Sequence, residues 1–466
     1  MLNFKPVTQS DGGRLRRYYK DCGYGLCEYS VGTKLMWRSV LHPAWTEACG
    51  CLLVRNYIDG RYVFDYPVPG PDGDEEAALV AIENHCVETG IPLVLSVVPD
   101  TEAPVLLSRY PYVKVKNIRT WRDYIYRAED LQSFSGGKYS GQRNHIKKFR
   151  AANPNAEFRP LSEEDRPAIE AFWGNFGQEF TKNDVKAARE LALAKKMLRL
   201  VNKPWFLAGG IFDGERLIAL SLAEKCGQTL IIHVEKALYS YEGIYPTLVQ
   251  SFAQYYKDGV SFINREDDSA DRGLRISKLQ YGPVKLAPKY FFEPHNELLC
   301  HVETIPELHT GRLTLSAITE EDIPAYNELI LDTERNRYWG YDDVSGLGGK
   351  VEPDSFYKVA KHDFDHCMAV NFAVRKDGSF IGEAVLYNFN YRGEAELGCR
   401  IAKGYAGTGY GAEAFAAVAN WALYGVHLTR LVAKCYRENT PSFKMLSSCM
   451  KKCGEDEKFF YFEKLV

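Results

Sequence analysis

Three Asp-Gly pairs set the plan of this chain: Asp59-Gly60, Asp213-Gly214 and Asp377-Gly378. Each lies between two strand-like runs, 52–57 with 61–68, 206–212 with 216–224, and 372–375 with 380–387. An Asp-Gly step tolerates positive φ at both positions, as the tight turn of a right-twisted hairpin requires. The elements after each hairpin repeat as well. A loop leads to a helix-like stretch, at 75–89, near 245–256 and at 412–424, and then to a strand, at 91–98, 260–264 and 429–435. The second and third copies insert one more strand before the loop, at 229–236 and 394–401. Their spacing from hairpin glycine to loop glycine is nearly the same, Gly214 to Gly243 and Gly378 to Gly409. Such a recurring order predicts related α/β (α+β) units, each a mixed central sheet flanked by helices. The boundaries expected are 1–127, 128–300 and 308–466, with the first unit the shortest and a helix over 5–20 at its start.

The third copy carries the most distinctive loop. Residues 397–414 read LGCRIAKGYAGTGYGAEA. This is a strand, a turn holding Gly404, Gly407, Gly409 and Gly411, and the start of an Ala-rich helix. Glycines let backbone N–H groups turn inward with no Cβ in the way. A helix start adds free N–H groups and the positive end of a dipole. Together they make a cradle for a pyrophosphate; the alternative is a tight strand-to-helix turn that binds nothing.

The loop resembles the acyl-CoA loop of the GNAT superfamily, (Gln/Arg)-x-x-Gly-x-(Gly/Ala), with Gly409 and Gly411 in the glycine places. Its flanks resemble the branch that acetylates N-terminal residues of ribosomal proteins. Ala406 departs from the pattern, so one side-chain donor to the pyrophosphate is missing. Asn439-Thr-Pro-Ser442 matches that branch's Asn-x-x-Ser. The resemblance implies acetyl-CoA on Ile401, Ala402, Gly404, Gly407, Thr408, Gly409, Tyr410 and Gly411. It places Asn439 on the pantetheine and Ser442 as the acid for the leaving thiolate. Glu394 or Glu396 would relay a proton from a small-molecule or peptide amine.

Two further stretches are dense in charge. One is 137–149, with Lys138, Arg143, Lys147 and Lys148. The other is 233–278, with His233, Glu235, Glu242, Asn264, Arg265, Asp267, Arg275 and Lys278. Both resemble the soluble C-terminal domain of phosphatidylglycerol lysyltransferases, over roughly residues 1–295. That family is two fused GNAT-like units, and its members move an amino acid from aminoacyl-tRNA. The resemblance makes the first two units one tandem module. The residues agree in one respect. Where the third copy has its glycine loop, the second has Tyr239-Ser-Tyr-Glu242-Gly243-Ile-Tyr-Pro, a poor pyrophosphate cradle. An aminoacyl ester is already activated and needs positioning and one proton relay. Glu235, Glu242, Glu266 and Asp267 could hold its ammonium, and Lys138, Arg143, Lys147 and Lys148 could meet tRNA phosphates. The other reading of each charge run is a solvated face with internal ion pairs. A mid-strand His233 also fits a core role. The module as a whole reads either as an aminoacyltransferase or as a platform that binds tRNA, protein or the acceptor.

Composition narrows the setting. At 466 residues, two to three domains are expected. A net charge of −3 does not mark a nucleic-acid binder by itself. No apolar run reaches the ~18 residues of a membrane span, and no signal-peptide core opens the chain. The 12 cysteines form no Cys-x-x-Cys pair, so reduced thiols, a cytoplasmic setting and no metal are expected.

Overall fold

The computed structural model describes residues 1–179, 185–339 and 351–466. The chain divides into two compact units, Met1–Arg109 with Lys114–Glu293, and Tyr110–Val113 with Pro294–Val466.

The C-terminal unit is built on one eight-stranded sheet. Its order is Leu308–His309, Thr314–Ala317, Val370–Lys376, Ser379–Tyr387, Glu394–Ile401, Arg430–Tyr436, Phe459–Leu465 and Lys451–Glu455. Asp377 and Gly378 both have positive φ (49° and 81°) and close a two-residue hairpin. Neighbouring strands are antiparallel except at one step. Glu394–Ile401 runs parallel to Arg430–Tyr436 and pairs only at Glu394↔Arg430, Ala395↔Leu431 and Glu396↔Val432. Beyond Glu396 the two strands splay. The helix Tyr410–Tyr424 crosses behind them and buries Ala414, Phe415, Val418, Ala419, Ala422 and Leu423. That spacing is one stripe of a 3.6-residue period. It meets Phe372, Leu386 and Leu397 in the core.

The N-terminal unit holds two sheets. The first runs Lys5–Pro6, Ala44–Ala48, Cys51–Ile58, Arg61–Asp65, Leu95–Val98, Tyr290–Pro294 and Val113–Asn117, with Val68–Pro69 beside Cys51–Ile58. The second runs Lys285–Ala287, Asp123–Arg127, Phe262–Asn264, Thr229–Ala237, Arg216–Cys226, Phe206–Asp213 and Ala156–Pro160. Each repeats the parallel step, at Phe64↔Leu95 and Asp65↔Ser96, and at Thr229↔Phe262 through Ile231↔Asn264. The repeat read from the sequence is thus a repeat of sheet topology.

Three expectations change. The boundaries at 127 and 300 give way to an exchange of strands. Asp123–Arg127 lies in the second sheet, pairing with Phe262–Asn264, and Tyr290–Pro294 lies in the first, pairing with Leu95–Val98. Local propensity holds no record of such distant partners. The helix over 5–20 is in fact a short strand, a 3-10 turn at Gln9–Asp11 and a helix only at Gly12–Tyr19, because Pro6 and the Thr8 capping box delay its start. The second hairpin turns at Gly214 and Glu215, with Asp213 paired to Arg216 and a bulge after Ile211.

The exchange has a polar lock. Lys289, buried just before Tyr290–Pro294, lies 2.7 Å from both Asp123 and Glu28. Asp123 also accepts from the Cys27 N–H and from Asn264 Nδ2, each at 2.7 Å.

Candidate active site

The glycine loop opens with a 3-10 turn at Lys403–Tyr405, fixed by Thr408 Oγ1 donating to the Tyr405 carbonyl at 2.7 Å. Gly407 and Gly409 hold φ of 77° and 86°, and Gly409 starts the helix Tyr410–Tyr424. No side chain caps that helix, so its first N–H groups keep their donors for another partner. A Cβ at Gly404 or Gly407 would meet nothing within 4 Å. An open cradle with unsatisfied donors fits a pyrophosphate. Ile401, Gly407, Gly409, Tyr410 and Gly411 line a cleft of about 1600 Å³ that continues between the splayed strands. Gly404, Ala402 and Thr408 are not in its wall; the Ala402 N–H is tied to the Ile381 carbonyl at 2.8 Å.

The N-terminal unit repeats this geometry and closes it. Gly243 has φ 80° and starts the helix Ile244–Tyr255, as Gly409 does for its helix. A Cβ there would collide with the His145 carbonyl oxygen and lie 3.3 Å from Phe149. The helix Ser140–Ala152 therefore packs over the space that a phosphate would need. The corresponding helix of the first sheet, Glu75–Thr89, is capped by the Asp74 carboxylate, which accepts from the Ala77 N–H at 2.9 Å.

Asn439, Ser442 and Glu396 line the C-terminal cleft. Asn439 caps the helix Thr440–Cys449, its Oδ1 accepting from the Ser442 N–H at 3.2 Å, which leaves its amide nitrogen for a ligand. Burial pushes the Cys435 thiol up, and the neighbouring Ser442 side chain draws it partly back down. Glu396 is the last paired residue before the splay. It accepts from Asn388 Nδ2 at 3.1 Å and lies 3.5 Å from Lys434 Nζ. Glu394 lies outside the cleft wall, bound to Arg430 at 3.3 Å and Asn390 at 2.7 Å. The structure thus separates two acids that the sequence left as alternatives.

In the second sheet the splay is crossed by side chains. His233 Nδ1 is 2.9 Å from Glu266, and Arg265 is 2.5 Å from Glu235. Burial lowers the pKa of His233, but Glu224 and Glu266 outweigh it and raise it to about 9. A Cβ at Gly32 would collide with His233 Nε2, so that glycine lets the helix Val31–Met36 close over the imidazole. Asn264 is buried, donating to Gly25 and Asp123. Lys278 is buried and donates to the carbonyls of Arg265 and Asp267. Arg275 pairs with Asp268 at 2.9 Å. Asp267 caps the Ser269 N–H and stands 3.9 Å from Lys289. Glu242 is exposed and pairs with Lys148 at 3.3 Å, while Lys138 pairs with Asp130 at 3.3 Å. Arg143 donates to the Phe134 and Gly136 carbonyls, and Lys147 is exposed. Two of the acids proposed for the ammonium are already paired, Glu235 with Arg265 and Glu266 with His233. Cys27, Glu28 and Asp123 are close enough to share a cation, and the Lys289 ammonium stands there.

Comparison with known proteins places both halves. The family description "Phosphatidylglycerol lysyltransferase, C-terminal" matches residues 22–293, more than half of the chain. The chain belongs to the phosphatidylglycerol lysyltransferase C-terminal family. In addition, residues 312–452 of this family member match the acetyltransferase (GNAT) domain. An uncharacterized N-acetyltransferase, YnaD of Bacillus subtilis, is 28% identical over 152 residues, 33% of this chain and 84% of the relative. A second, p20 of Bacillus licheniformis, is 26% identical over 148 residues, 30% of this chain and 79% of the relative. A conserved protein of unknown function from Bacteroides thetaiotaomicron shares the fold at TM-score 0.54 and 24% identity, covering 63% of this chain and all of that one. The C-terminal part is an acyltransferase domain of GNAT type. No helix among the described residues is long and apolar enough to cross a membrane.

Sequence reasoning missed one network in the cleft. Arg400 pairs with buried Glu383 at 2.8 Å, and Tyr326 and Asn371 donate to Glu383 at 2.6 and 2.7 Å. Arg400 also donates to Asn336 and lies over the Trp339 ring, 4.3 Å from its centroid. The available signal was a lone acid, Glu383, inside the apolar strand Ser379–Tyr387.

Proposed function

We propose that the C-terminal unit transfers an acetyl group from acetyl-CoA to a primary amine. The observation that carries this reading is the uncapped helix start at Gly409, open to a cleft that continues into the splay. The thioester supplies an activated acyl group. The backbone N–H groups of the loop 404–411 hold the pyrophosphate. The splayed edges beyond Glu396 and Val432, with the Asn439 amide, hold the pantetheine. Glu396, seated at the mouth of the splay, accepts a proton from the incoming ammonium. Ser442, at the first turn of its helix, gives a proton to the departing sulfur and takes one in return from the nitrogen of the collapsing tetrahedral adduct. Acetyl-CoA added to the full chain should raise its melting temperature. In Gly409→Glu, a carboxylate at the phosphate position should weaken CoA at least tenfold, about 1.4 kcal/mol. A folded variant that binds CoA as the wild type does would remove the assignment.

For the N-terminal unit a donor other than CoA is favoured by the helix Ser140–Ala152 over Gly243. That helix exposes Lys147 and Lys148. We infer that the module takes aminoacyl-tRNA and that this helix meets its phosphates. Each lost phosphate contact lowers the salt slope by about 0.9. Neutralising Lys147 and Lys148 in the full chain should flatten the slope of tRNA binding by about one to two. No tRNA affinity at about 50 mM salt, where phosphate contacts are strong, would leave the module as a platform for the acceptor.

A further inference from the structure

We propose that Arg312 is the cationic anchor of the pyrophosphate loop, taking over what Ala406 cannot do; the inference rests on the acyl-CoA reading of that loop. Arg312 stands just before the strand Thr314–Ala317, far from the loop in sequence. Its Nη1 donates to the Thr408 carbonyl at 3.1 Å. Its Nε and Nη2 reach Glu413 Oε2, each at 2.7 Å. The guanidinium lies over the Tyr410 ring, 4.6 Å from the centroid. A Cβ built on Gly409 would come within 3.3 Å of Nη2. The cation thus meets Thr408 and Tyr410, on either side of Gly409, at the point where the helix begins.

A guanidinium has five N–H donors, and these contacts use three. One N–H on each terminal nitrogen remains, and the side chain is 49% exposed. The charge balance of the loop also requires it. Glu413 puts a carboxylate in the first turn of the helix. Thr310, Arg312 and the Arg312 backbone N–H all donate to that carboxylate. Left alone, it would repel the pyrophosphate beside it. Two lysines near the loop are already paired, Lys403 with Glu334 and Lys376 with Asp377. A charge-assisted contact from arginine to phosphate is the strong kind. Arg312 both offsets Glu413 and offers free donors, which a neutral residue at 406 does not.

The test is calorimetric binding of CoA to the full chain, with pantetheine, which lacks phosphates, measured by competition. Arg312→Ala should weaken CoA about tenfold or more and leave pantetheine unchanged. Placing arginine at the empty position, in the double variant Arg312→Ala with Ala406→Arg, should recover most of the loss. Glu413→Gln keeps the guanidinium and should bind CoA as well as the wild type or better. Two results overturn the proposal. One is a wild type that binds CoA alongside an Arg312→Ala chain that binds it equally. The other is equal weakening by Arg312→Ala and Glu413→Gln with no recovery from Ala406→Arg, which would make the contact one of loop shape alone. A wild type with no CoA affinity would instead remove the acyl-CoA reading itself, and this proposal with it.

Discussion

At the scale of single residues, the proposed reaction divides its tasks among neighbours in the cleft. Ser442 lines the cleft and Asn439 holds its backbone, so the hydroxyl is positioned by the same cap that starts its helix. Ser442→Ala should lower kcat roughly 10²-fold with little change in the acetyl-CoA KM, because the proton is needed only as the sulfur leaves. Steady-state kinetics with both substrates varied would show it. An unchanged kcat would pass the role to water or to Tyr436, which also lines the cleft. That Asn439 and Ser442 share one helix start on the cleft was legible in the sequence because they sit on one local motif. The choice between Glu394 and Glu396 was not. They lie two residues apart on one strand and face the same way. What separates them is where the pairing to Arg430–Tyr436 stops, and that depends on a partner far along the chain.

At the scale of elements, the exchanged strands of the N-terminal unit rest on buried charge. Lys289 faces Asp123 and Glu28, and Asp123 in turn holds Cys27 and Asn264. Removing one partner of such a group leaves an uncompensated charge in the interior. Lys289→Met should therefore cost about 3–5 kcal/mol, read as a fall in the denaturant midpoint. A variant as stable as the wild type would show that the exchange is held by its apolar strands alone. His233 supplies a second reading of the same unit. Its folded pKa, about 9, lies above the ordinary histidine value because Glu224 and Glu266 outweigh burial. The stabilisation is then fully present below about pH 6.5 and is lost as pH rises through about 9. Its upper limit is about 3 kcal/mol. Chemical denaturation between pH 6 and 10 should show this loss, and His233→Gln should flatten it. A profile of the same slope in both proteins would place the titration elsewhere. The hairpins and helices were legible from Asp-Gly turns and period-3.6 stripes. The exchange was not, because a five-residue strand such as Tyr290–Pro294 carries no sign of which sheet receives it.

At the scale of the whole chain, one fold step occurs three times among the described residues and is open at one of them. Each sheet has a parallel pair, followed along the chain from its first strand by a helix. The first helix start is capped by Asp74, the second is covered at His145 and Phe149, and the third is uncapped at Gly409. Backbone donors that are already satisfied or covered have nothing to give an anion, whereas orphan donors do. CoA should therefore act on one of three related places. Hydrogen exchange on the full chain, with CoA at about 100 times its Kd, offers up to about 2.7 kcal/mol of protection to amides whose opening requires release of the ligand. Amides of 404–412, and those of the splayed edges beyond Glu396 and Val432, should slow. Amides at 243–247 and 75–78 should exchange at the same rate with or without CoA. Slowing at 243–247 would mean that the helix Ser140–Ala152 moves aside to admit the cofactor, and the closed loop would then be a second acyl-CoA site. Slowing nowhere would leave the loop at 404–411 as a turn that binds nothing.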